Sequence, residues 1–249
     1  MNRRDALKAF AGLALCPLCQ PAFAEGAHWT YEGANGPAKW GDVDAASKVC
    51  TIGLQQSPID IVAPVKSQLP PIKLNWAKGA ETIVNNGHTI QLNFAEGSTL
   101  TLADKKYKLL QVHFHRPSEH MVAGKSFPME AHFVHRAESG GLAVVGVLMS
   151  TGKPNSAFAK VVSSMPVKEG PAVKADAGFN ANDMLPRKLS YYRYSGSLTT
   201  PPCSETVEWL LLTTPITVAE TDVAAFAKLY PLNARPVQRD NRRFVLVSG

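Results

Sequence analysis

Nothing in the 249 residues repeats, and no low-complexity tract or Pro/Gly-rich linker divides them; the 18 glycines and 18 prolines are scattered. Solenoids and strings of small modules are excluded, and a single domain is expected. The longest apolar run, residues 7–18, is too short and too interrupted to stay in a bilayer, so no stable membrane anchor is expected. The formal charge is +6, yet no basic cluster carries interleaved aromatics, which argues against nucleic acid as a partner. Arg235, Arg239, Arg242 and Arg243 read as a solvated or ion-paired face. Cysteine is scarce, at 4 residues.

What is present begins with an export signal. Arg3 and Arg4 form a positive start, residues 7–18 are mostly apolar, and Ala22-Phe23-Ala24 is an A-x-A cleavage site. We expect residues 1–24 to be a removed signal peptide and 25–249 the functional domain, in the periplasm or secreted. NRRDALK resembles a twin-arginine signal, with the general secretory route left open. Cys16 and Cys19 would leave with the signal. Cys50 and Cys203 remain, an even number in an exported chain, which suggests one disulfide.

Strand signals dominate the rest: short β-branched or alternating runs at 83–84, 89–94, 99–102, 107–115, 129–134, 142–149, 191–194, 205–212 and 244–247. Helical periodicity is confined to 156–163 and 219–229. The reading is a mainly β domain with a few short helices; a large sheet, a sandwich and a barrel all remain open.

The stretch QVHFHRPSEH, residues 111–120, holds three histidines and a glutamate. On a strand, Gln111, His113 and His115 project to one face, with Val112 and Phe114 on the buried side. Two imidazoles so placed can share a zinc ion, and a third ligand can come from MEAHFVH at 129–135, where Glu130 and His132 share a face and His135 does not. Gln111 and Glu130 stand where a partner for the other ring nitrogen of a ligating histidine is needed. His28, His120 and His135 read as structural. The spacing His113-x-His115-x-x-x-Glu119 also matches cupins, with Glu119 as a ligand. Against that, Tyr107 stands where a cupin has glycine, and no histidine follows His135.

Taken together, QVHFH, SEH, MEAHFVH, LAVVG, SGSLTTPPC, VEW and NARPVQ, with HWTYEG, QSPIDI and NNGHTIQL upstream, resemble the α-class carbonic anhydrases over roughly residues 28–247. The resemblance implies a large, mostly antiparallel, twisted central sheet of ten strands with a few short peripheral helices. It implies zinc on His113, His115 and His132, and reversible hydration of CO2 to bicarbonate and a proton through a zinc-bound hydroxide, with weak esterase activity. Thr199 would accept from that hydroxide and donate to Glu119, so Glu119 orients rather than ligates. Val134, Val144, Leu198 and Trp209 would wall the CO2 pocket and Thr200 would bind bicarbonate. His88 would shuttle the proton, with Tyr31, Asn86 and Gln91 ordering its water chain; the animal enzymes have Asn at the last of these. Cys50–Cys203 matches the disulfide of exported members. Inhibition by anions and sulfonamides is implied. The linker Arg116-Pro117-Ser118 is shorter than in the animal enzymes, a bacterial trait that goes with dimers and leaves a homodimer open.

Overall fold

A computed structural model describes residues 29–249. The expected signal peptide, Cys16, Cys19 and His28 lie outside the described residues. One 13-stranded sheet dominates. Its continuous path runs through ten strands: Val173–Lys174, Thr82–Asn85, Ile90–Asn93, Lys105–His115, Met129–Ala137, Leu142–Thr151, Val207–Leu212, Tyr191–Gly196, Leu246–Ser248 and Val65–Ser67. Three more branch from it: Ile216–Val218 beside Leu142–Thr151, and the Ile72–Asn75 and Thr99–Leu102 pair beside Lys105–His115. The ten-strand expectation therefore describes the path and omits the branches. Most pairings are antiparallel; Leu142–Thr151 pairs in parallel with Val207–Leu212 and Ile216–Val218, as Leu246–Ser248 does with Val65–Ser67.

The strand carrying the first two histidines changes parity halfway. Tyr107 and Leu109 are buried in the main core, and so are Val112 and Phe114; these cannot share a face by alternation alone. A register shift between Leu109 and Gln111 against Met129–Ala137 supplies the extra residue. This β-bulge turns Gln111, His113 and His115 away from the core. Beyond it the register sets His113 opposite His132 and His115 opposite Glu130.

The main core lies on the other face, where Phe114, Phe133, Val145 and Leu210 meet the helices Ser156–Ser164 and Glu220–Ala227 through Phe158, Val161, Val223 and Phe226. Asn155 caps the first helix, its Oδ1 accepting the Ala157 and Phe158 N–H groups at 3.0 Å. The second helix stops at Ala227, short of Leu229. Among the described residues no helix is long and apolar enough to cross a membrane.

His135 belongs to this core, stacked near Trp76, whose indole N–H donates to His135 Nε2 at 3.2 Å. Burial pushes its pKa down to about 4. The unfolded chain binds this proton near pH 6.5 and the folded chain does not, so stability falls as pH drops from 6.5 toward 4. The loss amounts to roughly 3 kcal/mol at completion. In metal-free protein, His135→Gln should flatten the pH dependence of urea unfolding across that window; an unchanged slope would contradict this account.

Cys50 and Cys203 form a disulfide across 153 positions, packed with Trp40. On the chain-entropy view, closing so long a loop stabilises by at most about 5 kcal/mol. Cys50→Ser/Cys203→Ser should lower the urea midpoint and raise the denaturant slope, because the unlinked unfolded chain exposes more surface.

Candidate metal centre

His113 and His115 leave the bulged strand, and His132 faces them from its antiparallel neighbour. Their candidate ligand atoms lie within 4.8 Å of one another. Ring centroids are 4.9 Å apart for His113–His115, 5.2 Å for His113–His132 and 4.5 Å for His115–His132. Each ring has one nitrogen committed elsewhere. His113 Nδ1 donates to Gln111 Oε1 at 2.8 Å and His115 Nδ1 to the Asn233 carbonyl at 2.7 Å. His132 Nε2 donates to Glu130 Oε1 at 2.8 Å. These bonds fix the tautomers and leave Nε2, Nε2 and Nδ1 as the nitrogens available to a metal. His115 Nε2 is fully buried and forms no hydrogen bond among the described residues, which is what a site built for a cation requires.

Burial keeps the three rings neutral. It lowers His113 well below the ordinary value, helped by the neighbouring His115 and His132, lowers His115 to about 4, and lowers His132. Neutral imidazoles are the metal-binding form. Glu130 is pushed upward by burial, but His120 and His132 outweigh this and hold it well below the carboxylate range. Its oxygens also accept the Glu119 and His120 backbone N–H groups at 3.0 and 2.9 Å. His120, Glu130 and His132 form a second compact group, but Glu130 is fully engaged as a hydrogen-bond acceptor, so that group is a brace.

Glu119 is buried beside two of the imidazoles. Its Oε1 accepts the Arg235 backbone N–H at 2.8 Å. Its Oε2 sits 3.4 Å from His115 Nε2 and 3.8 Å from His132 Nδ1. Burial pushes Glu119 up to about 7, opposed by His132, the Thr199 hydroxyl and the Arg235 N–H. A divalent cation among the imidazoles acts in the same direction as these and favours the carboxylate.

The other expected site residues lie on several elements of the fold. Val134, Val144 and Trp209 share a buried cluster, distinct from the main core, against which Leu198 packs. Trp209 lies 4.8 Å from the His132 ring, and its N–H donates to the Ser197 carbonyl at 3.0 Å. The Thr200 carbonyl accepts the Cys203 N–H at 2.9 Å, tying the turn to the disulfide. His88 stacks on Trp29 at 3.7 Å. Tyr31 lies beside Trp29 and Trp40, and burial, then Glu119, raises its pKa. Asn86 Oδ1 accepts the His88 and Thr89 N–H groups, so it shapes the turn that presents His88. Gln91 lies opposite His113 and donates to Asn93 Oδ1 at 2.7 Å.

Two expectations need correction or addition. Arg235 is not on a solvated face: it is 2% exposed, and its guanidinium donates to Gln56 Oε1 and to the Ser57 and Cys50 carbonyls. An arginine in a cluster of four reads as surface; only tertiary packing shows that one of them is interior. Asn233 received no role from the sequence, although it lies within the quoted NARPVQ segment. It is fully buried, accepts from His115, and donates to the His88 and Phe114 carbonyls.

A mostly antiparallel sheet presents three individually braced imidazoles, two buried and His113 half-buried, as a set that could hold a metal ion. The chain belongs to the α-carbonic anhydrase family: the family model for eukaryotic-type carbonic anhydrase matches residues 35–249. It is 41% identical over 242 residues to a carbonic anhydrase of Neisseria gonorrhoeae, covering 96% of each chain. Its fold matches an α-carbonic anhydrase from Thermovibrio ammonificans, solved with the inhibitor sulfanilamide, at TM-score 0.86 and 42% identity, covering 89% of this chain and 99% of that one. It also matches a hyperthermostable carbonic anhydrase from a hydrothermal vent chimney at TM-score 0.86 and 43% identity, covering 89% and 100%. A cupin is excluded.

Proposed function

We propose that the protein is an exported zinc enzyme that reversibly hydrates CO2 to bicarbonate and a proton. The observation that carries the reading is the set of three imidazoles, each with one nitrogen braced and the other available to a metal. An all-imidazole set of three that leaves a position open is the ligand pattern of catalytic zinc in carbonic anhydrase itself. A zinc ion held there would act as a Lewis acid toward water, lowering its pKa to about 7, the figure known for carbonic anhydrase.

The side chains divide the remaining work. Ionised Glu119 can only accept, so the Thr199 hydroxyl donates to it and offers its lone pairs to the cleft. That fixes the orientation of any hydroxyl group bound there. The apolar wall of Val134, Val144, Leu198 and Trp209 gives CO2 a dry seat, and Thr200 at the rim can donate to a bicarbonate oxygen. The same centre would hydrolyse activated esters weakly and bind anions and sulfonamides. Residues 1–24 act as the signal peptide and 25–249 as the catalytic domain.

His88 serves as proton carrier, since an imidazole on the cleft rim can exchange protons near neutral pH. His88→Ala should lower kcat by on the order of tenfold to a hundredfold and leave kcat/KM nearly unchanged. Imidazole buffer should restore kcat. Stopped-flow hydration across a buffer series checks this, and an equal fall in kcat and kcat/KM would contradict the role.

A further inference from the structure

Several buried residues between the metal site and the Thr199 loop have no part in the chemistry above. Glu130, which braces His132, also binds His120: Glu130 Oε1 lies 2.8 Å from His120 Nδ1. The other nitrogen, His120 Nε2, meets the Tyr194 hydroxyl at 2.6 Å, and that hydroxyl lies 3.0 Å from Ser57 Oγ. Ser57 Oγ accepts the Ser197 N–H at 3.1 Å, while the Ser57 N–H donates to Ser197 Oγ at 2.9 Å. Thr199 stands two residues further along the same loop.

Every member of this chain is sealed from solvent: Tyr194 is 2% exposed, and Ser57, His120, Glu130 and Ser197 are at 0%. A polar chain is costly to bury unless each member is satisfied, and a satisfied one holds its ends rigidly. The backbone is shaped around it, because a Cβ at Gly196 would stand 2.2 Å from Ser57 Oγ and 2.8 Å from the Tyr194 ring. Packing alone does not call for the hydroxyl. A phenylalanine at 194 could keep the stack on Trp209, where the rings lie 6.2 Å apart at 7°.

We propose that His120 and Tyr194 are positioning residues: the chain Glu130–His120–Tyr194–Ser57–Ser197 fixes the third imidazole and the Thr199 loop relative to each other. Its kinetic consequence rests on the carbonic anhydrase reading, whereas its consequence for zinc affinity rests on the hydrogen bonds alone. Neither residue touches the reacting atoms. Removing the Tyr194 hydroxyl takes the shared partner from His120 and Ser57 at once, loosening the Glu130 brace at one end and the loop at the other.

The test compares Tyr194→Phe, Ser57→Ala, Thr199→Ala and the Tyr194→Phe/Thr199→Ala pair in the full chain. Zinc affinity is measured by competition with a chromophoric chelator, and kcat and KM by stopped-flow hydration of CO2. Tyr194→Phe should weaken zinc binding by about tenfold, the lower end for residues that orient ligands. It should lower kcat by a similar factor, with KM changed less than about twofold. Ser57→Ala, which cuts the chain without touching the brace, should move both quantities the same way. The double variant should be no slower than Thr199→Ala, because Tyr194 acts through that loop. Folded Tyr194→Phe with unchanged zinc affinity and kcat would overturn the inference, as would losses that multiply in the double variant. If the wild type bound zinc without hydrating CO2, the function above would fail and the affinity measurements would still decide this inference.

Discussion

Replacing His132 by alanine should take zinc binding and CO2 hydration together, lowering kcat/KM by more than about 100-fold. Loss of a residue that only orients a ligand costs up to about that much, and loss of the ligand itself exceeds it. The structure gives a second reason for so large an effect. Glu130 accepts from both His132 and His120; without the His132 ring, one lone pair of a buried carboxylate loses its donor. The change should therefore also destabilise the fold by roughly 1–3 kcal/mol. Metal analysis, hydration rate and urea unfolding on one preparation check all three effects. A His132→Ala protein with full zinc and near-normal turnover would remove His132 from the ligand set.

Glu119→Gln should do the opposite to the metal and nearly as much to the rate. If Glu119 orients Thr199 and is not a ligand, the amide should leave zinc bound at one equivalent. The amide can donate, so the Thr199 hydroxyl is no longer forced to face it as donor, and the fixed acceptor in the cleft is lost. A fall in kcat of about 10²–10³-fold is expected, the scale for losing one preorganised hydrogen-bonding group. Loss of zinc from Glu119→Gln would instead make Glu119 a ligand. Its Oε2 already lies 3.4 Å from His115 Nε2, so the measurement separates two arrangements that a small shift of the carboxylate would interconvert.

The site was more legible than the fold. Alternation from Gln111 to His115 depends only on the period of a strand, and the bulge that establishes that parity lies just upstream. Starting the alternation at Tyr107 would have put the histidines with the core residues. Nothing in KLLQ announces an extra residue there, because a bulge is set by pairing with Met129–Ala137 rather than by local preference. The strands Asp60–Ile61, Val65–Ser67 and Ile72–Asn75 are short and follow prolines, and the last two carry a lysine, so their sequence has little strand pattern; distant partners hold them in the sheets.

Long-range polar contacts were the least legible. His120 reads as an ordinary polar residue after Glu119, and its partner Tyr194 lies 74 positions away. Asn233 reaches His115 across 118 positions. Arg235 holds Gln56, Ser57 and Cys50 from nearly the other end of the chain. Each is a single residue without periodicity, and only the fold gives it a partner. The three clustered histidines, by contrast, come from two neighbouring strands close in sequence, and the family motifs surround them.

The central claim is that three braced imidazoles hold a zinc ion that makes this chain a carbonic anhydrase. Stopped-flow CO2 hydration with a pH indicator, with zinc determined on the same sample, tests it most directly. The account predicts fast turnover that a chelator removes and zinc restores, governed by a group titrating near 7. Protein that carries one equivalent of zinc and hydrates no CO2 would contradict it.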